Sequence, residues 1–492
     1  MDKSYKEKFE VAEIEMTAKN RKIIFFLLLI IIVAGALFRF NHLGSESIWL
    51  DEGYALVEAD QPTVLGVLDA VYGPPEGTPP LYFVVLHLWM KHVGNTEFLL
   101  RLPSVIFSII SIFIIFLIGR KLYDAKTGLI TALLMSLSLI QILYSQEARP
   151  YGLFVMLVLL STLFFIDFAR KGKAKDQVIY LIFTILMLYT HYLGLFVLFC
   201  QVISYFLFRE KMNISLKKIS ASVLIIAVMY IPGIFYIFSQ FIHNFYSIQA
   251  SLERRLGFSF FLFKLGLFNF VWPVLIVCAL VFLIYRKRER FLKFINKLFS
   301  PNVFIMLMII FSIFYVAVVS RWTNSLFITR YSHFMYPLFY LVVARKFVLL
   351  KNNYWKKLIS LLFIIITIVS LTNYSLDVPR KTEWAKAANL IEENGFGFGQ
   401  EKVVVIGGIQ TDILQYYYGG GELITFPNVE ECKMEDLQKL KIDLQGVASF
   451  WLVQSTNYDN KGCLLNNLAA EYSSLEEYSM YKLEVTHFRF LG

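Results

Sequence analysis

Two adjacent acids are the first candidates for chemistry in this chain. Asp51 and Glu52 follow the first long apolar run and lie beside Trp49 and Tyr54 in SESIWLDEGYALVEAD. Adjacent carboxylates can supply a general base whose pKa is set by its neighbours. A solvated loop, or a helix N-terminus that favours negative charge, would explain the same pair without any chemistry.

Further motifs supply arginines, histidines and another acid. They are Arg101-Leu-Pro-Ser, Tyr144-Ser-Gln-Glu-Ala-Arg-Pro-Tyr151 with Glu147 and Arg149, the pair His191-Tyr192, and Phe327-Ile-Thr-Arg-Tyr-Ser-His333 with Arg330. Each motif alone is more often structural, since arginine and tyrosine are common at membrane interfaces. Arginine also binds phosphate through a bidentate fork. Several arginines and carboxylates together would therefore suit a lipid phosphate leaving group and an acceptor hydroxyl.

The elements that must position these residues are membrane helices. Of the 492 residues, 57% are hydrophobic and only 17% are charged, and the mean hydropathy is +0.59. Soluble domains are about a quarter charged, so a soluble enzyme, a disordered protein and a coiled coil are excluded. Four cysteines are too few for a disulfide framework. The net charge of +10 fits lysine and arginine held on the cytoplasmic side and does not require nucleic acid.

The apolar runs predict a polytopic α-helical membrane protein with about 11 transmembrane helices and a C-terminal external α/β domain. The predicted spans are 23–40, 104–118, 129–145, 152–168, 178–190, 193–208, 219–238, 261–285, 303–319, 332–350 and 357–375. The first is an uncleaved anchor, because no small-residue cleavage site follows it.

Charge sets the orientation. With residues 1–22 as a cytoplasmic N-terminus, the inner loops hold 28 Lys and Arg and the outer loops hold 8, which is a strong positive-inside bias. The bias holds only if the apolar segment 79–93 is an interfacial or re-entrant helix of the outer face. Residues 23–375 then form the transmembrane domain, with a long first external loop at 41–103. All the candidate site residues fall on the extracytoplasmic side.

Residues 376–492 are predicted to form an extracytoplasmic soluble α/β domain. They carry 10 Lys and Arg against 17 Asp and Glu, unlike the basic remainder. EWAKAANLIEENG reads as a helix, and KVVVIGG, GVASFWLVQS and MYKLEVTHFRFL read as strands. If the outer compartment is oxidising, Cys432 and Cys463 could pair; two free thiols are the alternative.

The order of the motifs resembles the polyprenyl- and dolichyl-phosphate-sugar-dependent membrane glycosyltransferases. This superfamily includes the protein O-mannosyltransferases and the enzymes that add aminoarabinose to lipid A. The resemblance covers about residues 20–350 and is carried by the external Asp-Glu, then PPLYF, RLPS, SQEARPY, THYLG and a late RY. It implies transfer of a sugar, with inversion, from a polyprenyl-phosphate-linked donor to a lipid, glycan or protein acceptor outside the plasma membrane.

Carried over by position, the resemblance makes Asp51 the base, Glu52 its partner acid and Glu147 a second acid. Relatives often have His or Lys before the proline pair, but here the residue is Thr78, which cannot neutralise a phosphate. Donor-phosphate binding therefore shifts to Arg101, Arg149 or Arg330. We expect substrate contacts at Tyr151, His191, Tyr192 and His333.

Two other functions remain open for this pattern. A transporter or flippase of a lipid-linked or anionic substrate would need ionisable residues near the bilayer midplane. A non-catalytic scaffold or receptor would leave the external acids and arginines unexplained. No cofactor is predicted with certainty and no His/Cys cluster has zinc spacing, although an acidic loop could hold a divalent cation through its oxygens.

Overall fold

The fold consists of a helical membrane part followed by a small sheet domain. A computed structural model describes residues 18–73, 78–237, 332–375, 381–395, 401–421, 423–427, 433–455, 467 and 471–491. The predicted spans 261–285 and 303–319, the candidate Arg330, and both Cys432 and Cys463 lie outside the described residues. The other nine predicted spans fall wholly or mainly within them.

Each of those nine apolar segments is helical. The helices are α1 Ala18–Phe40, α2 Leu50–Ala59, α3 Val64–Tyr72, α4 Leu81–His92, α5 Glu97–Leu122, α6 Ala125–Ser136, α7 Leu139–Ser145, α8 Tyr151–Lys171, α9 Ala174–Thr190, α10 Gly194–Phe208, α11 Leu216–Met229, α12 Tyr336–Leu349 and α13 Asn353–Ser375. Within the described residues, four helices are long and apolar enough to cross a bilayer, or six if each of two bent pairs counts as one span. Large apolar side chains on α1 and α13, such as Phe25 and Ile366, are exposed, as expected where helices face lipid.

The predicted span 129–145 is broken in two. Helices α6 and α7 meet at a bend of 59°. Arg39 at the end of α1 is fully buried and donates to the carbonyls of Met135 at 3.2 Å and Ser136 at 3.0 Å. It thereby satisfies carbonyls that a bend inside a membrane protein leaves without helical partners. The apolar run alone could not show this break, because the cation that caps it lies about a hundred residues earlier.

The long helices separate two chemically different ends. Arg101 and Lys121 lie near opposite ends of α5, roughly 30 Å apart at about 1.5 Å per residue. At the Lys121 end, Asp167 pairs with Lys121 at 2.5 Å and with Lys171 at 3.1 Å. The basic loops therefore lie at the end of the bundle away from the candidate site residues.

Impermeant thiol reagents applied to intact cells should distinguish these two ends. We expect single cysteines placed at Ser247 or Asn457 to react, and cysteines at Lys173 or Asn352 to remain unlabelled until the membrane is permeabilised. Labelling of Lys173→Cys and Ser247→Cys from the same side would contradict the orientation set by the charge bias.

Three short helices, α2, α3 and α4, make up the loop between α1 and α5. Helix α4 covers most of the ambiguous segment 79–93 and has only 12 residues, too few to cross a bilayer. Its buried Tyr82 and Phe83 face the protein, and it contacts α2, α3 and α5. The prediction of a short helix in this segment is confirmed, and its place at the outer face stays a prediction.

The sheet domain has the predicted α/β pattern. Its elements are α14 Trp384–Gly395, β1 Lys402–Ile406, α15 Gly408–Tyr417, β2 Leu423–Phe426, α16 Met434–Asp443, β3 Ser449–Ser455, β4 Tyr472–Met480 and β5 Leu483–Phe490. The strand order is β2-β1-β3-β5-β4. β1 is parallel to β2 and β3, whereas β5 is antiparallel to β3 and β4. One sheet face, including Val403 and Trp451, joins the hydrophobic core that continues into α2 and α5.

Candidate active site

The Asp51–Glu52 pair lies in the first turn of α2. Trp49 caps this helix, and its backbone N–H donates to Glu52 Oε2 at 3.4 Å. Carboxylates are favoured in a first turn by the helix dipole. The helical alternative considered for the sequence is therefore correct, and it coexists with a buried charge cluster.

Glu52 is the centre of that cluster and is 2% exposed. Arg101 grips it with two hydrogen bonds of 2.9 Å, one to each carboxylate oxygen. Lys381 Nζ lies 3.0 Å from Oε2, and the Ala148 N–H donates to Oε1 at 2.9 Å. Burial alone would raise the pKa of Glu52, but the Arg101 and Lys381 charges and these hydrogen bonds lower it to about 2. Glu52 is therefore a permanent anion and a poor proton acceptor.

Arg101 has no N–H left for a substrate. Besides its two bonds to Glu52, it donates to the carbonyls of Leu43, Glu46 and Ser47 at 2.8 to 3.0 Å. A guanidinium has five N–H donors, and these five contacts use all of them. We therefore correct two assignments. Arg101 was expected to bind the donor phosphate and Glu52 to act as the partner acid of Asp51, but both side chains instead fix the loop around α2.

The SQEARPY segment holds the same turn from the other side. Arg149 Nη1 donates to the Asp51 carbonyl at 2.8 Å, next to the Ala148 bond to Glu52. Gln146 Nε2 donates to the carbonyls of Arg39 at 3.0 Å and Asn41 at 2.7 Å, where α1 ends. The motif thus ties the end of α1 to the start of α2, which fixes the turn that carries Asp51.

Tyr82, from the PPLYF motif, adds a buried hydroxyl to this region. Its oxygen lies 3.2 Å from Ser104 Oγ, which donates to the Arg149 carbonyl at 3.2 Å. Burial raises the pKa of the Tyr82 hydroxyl, and the charges of Arg149, Glu52 and Glu147 also act on that pKa. Glu52, Glu147 and Arg149 are therefore electrostatic neighbours of Tyr82.

An aromatic and histidine cluster adjoins Arg149. The His333 ring centroid lies 5.0 Å from that of Tyr144 and 5.3 Å from that of Tyr151, and His191 lies 5.0 Å from Phe154. Burial lowers the pKa of His191 to about 3, with smaller contributions from the His333 and Arg149 charges. His191 Nδ1 accepts the Leu193 N–H at 3.2 Å. The neutral ring therefore carries its proton on Nε2, which makes that atom a donor.

The structure brings most of the predicted residues together. The Tyr192 ring centroid lies 4.5 Å from that of His191, with the two rings tilted by 39°. Tyr192 therefore joins the set formed by Asp51, Glu52, Arg101, Glu147, Arg149, Tyr151, His191 and His333. The sequence analysis missed Lys381, Tyr82 and Gln146. Tyr82 and Gln146 lie inside the PPLYF and SQEARPY motifs, but nothing in the local sequence around Lys381 indicates a partner 329 positions away.

Metal binding stays a prediction. Across the described ranges, no group of three or more His, Cys, Asp and Glu side chains is arranged to hold a metal ion.

Part of this chain matches a known protein family. A family model described as dolichyl-phosphate-mannose-protein mannosyltransferase matches residues 77–236, which include Tyr82, Arg101, Arg149 and His191. No curated protein sequence matches the chain.

Solved structures with the same architecture include ArnT from Cupriavidus metallidurans in the apo state. It is 12% identical with a TM-score of 0.57, and the match covers 96% of this chain and 98% of that one. The archaeal oligosaccharyltransferase AglB from Archaeoglobus fulgidus, in complex with an inhibitory peptide and a dolichol-phosphate, gives a TM-score of 0.49 at 12% identity, over 89% of this chain and 70% of that one. The chain is thus a multi-pass membrane protein with the fold of ArnT, and the predicted resemblance to the lipid-linked-sugar glycosyltransferases is confirmed by the mannosyltransferase family model over residues 77–236.

Proposed function

We propose that this protein is an inverting glycosyltransferase that moves a sugar from a polyprenyl-phosphate-linked donor to an acceptor on the extracytoplasmic side. The observation that carries the proposal is that buried contacts fix the first turn of α2. Glu52 is fixed by Arg101, Lys381 and Ala148, while Asp51 beside it is only partly buried. A carboxylate presented on a rigid element next to a fixed arginine is what acceptor activation requires.

The proposed reaction is a single displacement at the anomeric carbon. The acceptor oxygen attacks that carbon, Asp51 takes the acceptor proton, and the carbon–oxygen bond to the phosphate breaks with its electron pair leaving on the lipid phosphate. Arg149 and Arg330 are proposed to stabilise that phosphate, the usual electrostatic role of such cations. Glu147 is the proposed second acid of the site.

The aromatic and histidine cluster is proposed to receive the sugar. Tyr151, Tyr192 and His333 offer ring faces, and the Nε2–H of His191 is a hydrogen-bond donor whose proton does not depend on pH near neutrality. Rings of this kind combine an apolar body with a polar edge, which suits a sugar.

Purified protein incubated with a panel of polyprenyl-phosphate sugars tests the proposal. Product mass spectrometry should show sugar transfer, or slow donor hydrolysis without an acceptor, and Asp51→Asn should lower the rate by about 10²- to 10⁴-fold. A transporter or flippase would instead move a lipid-linked substrate between leaflets of a proteoliposome without breaking the sugar–phosphate bond. A scaffold would do neither.

The phosphate assignment makes a kinetic prediction. Lysine keeps the charge but cannot reproduce a bidentate grip, so Arg149→Lys and Arg330→Lys should raise the donor KM and the alanine variants should raise it further. Hydrogen bonds to charged groups contribute about 1.5–3 kcal/mol, so the alanine effect should be on the order of tenfold to a hundredfold. The acceptor KM should change little.

Arg345→Lys is the matched control for these variants. Arg345 pairs with Asp124 at 2.7 Å, at the basic end of the bundle away from the site. Wild-type donor kinetics in both the Arg149 and Arg330 variants would mean that the donor phosphate binds elsewhere.

A further inference from the structure

Helix α2 is held by the C-terminal domain as well as by the membrane part. Tyr417 of α15 accepts the Ile48 N–H at 2.8 Å, and the Ala385 N–H of α14 donates to Ser47 Oγ at 3.2 Å. These contacts reach the two residues immediately before Trp49, the cap of α2. The strand-and-helix domain therefore contacts the segment that leads into Asp51.

The packing at Gly53 shows how close this contact is. A Cβ built at Gly53 would lie 2.5 Å from side-chain atoms of Ile413, which belongs to α15 and is fully buried. A separation that short leaves no space for a larger residue without movement. The helix that presents Asp51 therefore lies directly against α15.

Lys381 adds a charge to this contact. Its Nζ lies 3.0 Å from Glu52 Oε2 and 3.3 Å from the Gln146 carbonyl, and its side chain is 12% exposed. Burial lowers the pKa of Lys381, while the Glu52 charge acts in the opposite direction. Removing either partner of such a buried ion pair leaves an uncompensated charge, so the contact strongly favours the observed geometry.

We propose that Lys381 is a positioning residue for the transfer reaction, and that through it the C-terminal domain completes the active site. Lys381 and Arg101 hold the Glu52 carboxylate from the domain side and from the membrane side. Glu52 in turn fixes the first turn of α2, and that turn sets where the Asp51 carboxylate meets the acceptor hydroxyl. This inference rests on the proposed function. It gives the C-terminal domain of the protein a role in catalysis that the amino-acid composition did not indicate.

The test compares Lys381→Met with Lys381→Arg in purified, folded protein. Small displacements of a catalytic group can cost on the order of a hundredfold in rate, so Lys381→Met should lower kcat by roughly tenfold to a hundredfold. Donor and acceptor KM should change by less than about threefold, because Lys381 does not touch substrate. Lys381→Arg keeps a cation beside Glu52 and should recover most of kcat.

Lys386→Met is the matched control. Lys386 is an exposed lysine that pairs with Glu383 near the start of α14, and its loss should leave kcat unchanged. Tyr417→Phe is a milder second variant, which removes the hydroxyl that accepts the Ile48 N–H and also interacts with Glu97. It should lower kcat in the same direction and keeps the proposal testable where Lys381→Met fails to fold.

The outcomes separate this inference from the proposed function. If the wild-type protein transfers sugar and both Lys381→Met and Tyr417→Phe keep its kcat per folded molecule, the positioning role is wrong and the contact only stabilises the fold. A loss of activity that tracks the loss of folded protein would also overturn the positioning role. If the wild-type protein acts on no polyprenyl-phosphate sugar, it is the proposed function that fails.

Discussion

Asp51→Asn should reduce sugar transfer by about 10²- to 10⁴-fold, the usual contribution of general acid–base catalysis. The amide is nearly the same size as the carboxylate but cannot take the acceptor proton. Asp51 is partly buried in the first turn of α2, and Arg149 contacts its backbone carbonyl. The substitution should therefore leave the packing of the turn intact. Initial rates at saturating donor and acceptor measure the effect.

Asp60→Asn provides the matched control, because Asp60 is an exposed aspartate at the other end of the same helix. It should keep wild-type rates and thermal stability. Full activity in Asp51→Asn would remove Asp51 from the mechanism and make Glu147 the next carboxylate to test.

Glu52→Gln should have its largest effect on stability. The substitution leaves the Arg101 and Lys381 charges buried beside a neutral amide, and breaking a buried ion pair in this way costs about 3–5 kcal/mol. We expect a large drop in the melting temperature of the detergent-solubilised protein and a lower yield of folded material.

Protonation of Glu52 at low pH should destabilise the protein, as the Glu52→Gln substitution does. The folded pKa of Glu52 is lowered to about 2, below the ordinary value near 4.3. The stabilisation by Glu52 is therefore fully present above about pH 4.3 and is lost as the pH falls towards 2. The melting temperature of the wild-type protein should decline across that window, with a smaller decline in Glu52→Gln.

Two further variants test whether the lost charge of Glu52 is what lowers the melting temperature. Glu435→Gln changes an exposed glutamate in the first turn of α16 and should leave the melting temperature unchanged. The double variant Glu52→Gln/Lys381→Met removes one of the uncompensated cations and should be more stable than Glu52→Gln alone. An unaltered melting temperature in Glu52→Gln would show that the charge cluster is not what holds α2.

The sequence by itself determined the membrane class, most helices and the set of residues that meet. Long apolar runs must become helices in a bilayer, because no water is present to satisfy backbone polar groups. The short helix α4 and the strand pattern of the C-terminal domain were also readable from length and periodicity. The distribution of charge then placed Asp51, Glu147 and Arg149 on one side of the membrane.

Only the tertiary structure decided what each of these residues does. Glu52 and Asp51 are equivalent in sequence, but Glu52 is buried among donors that come from positions 49, 96 and 329 residues away. In the sequence, Arg101 and Arg149 are equally suited to bind phosphate. Only the fold shows that Arg101 donates all five of its N–H groups to protein oxygens. Burial and pairing depend on which distant segments meet. No local sequence pattern therefore indicates Lys381, although its ammonium completes the charge cluster around Glu52.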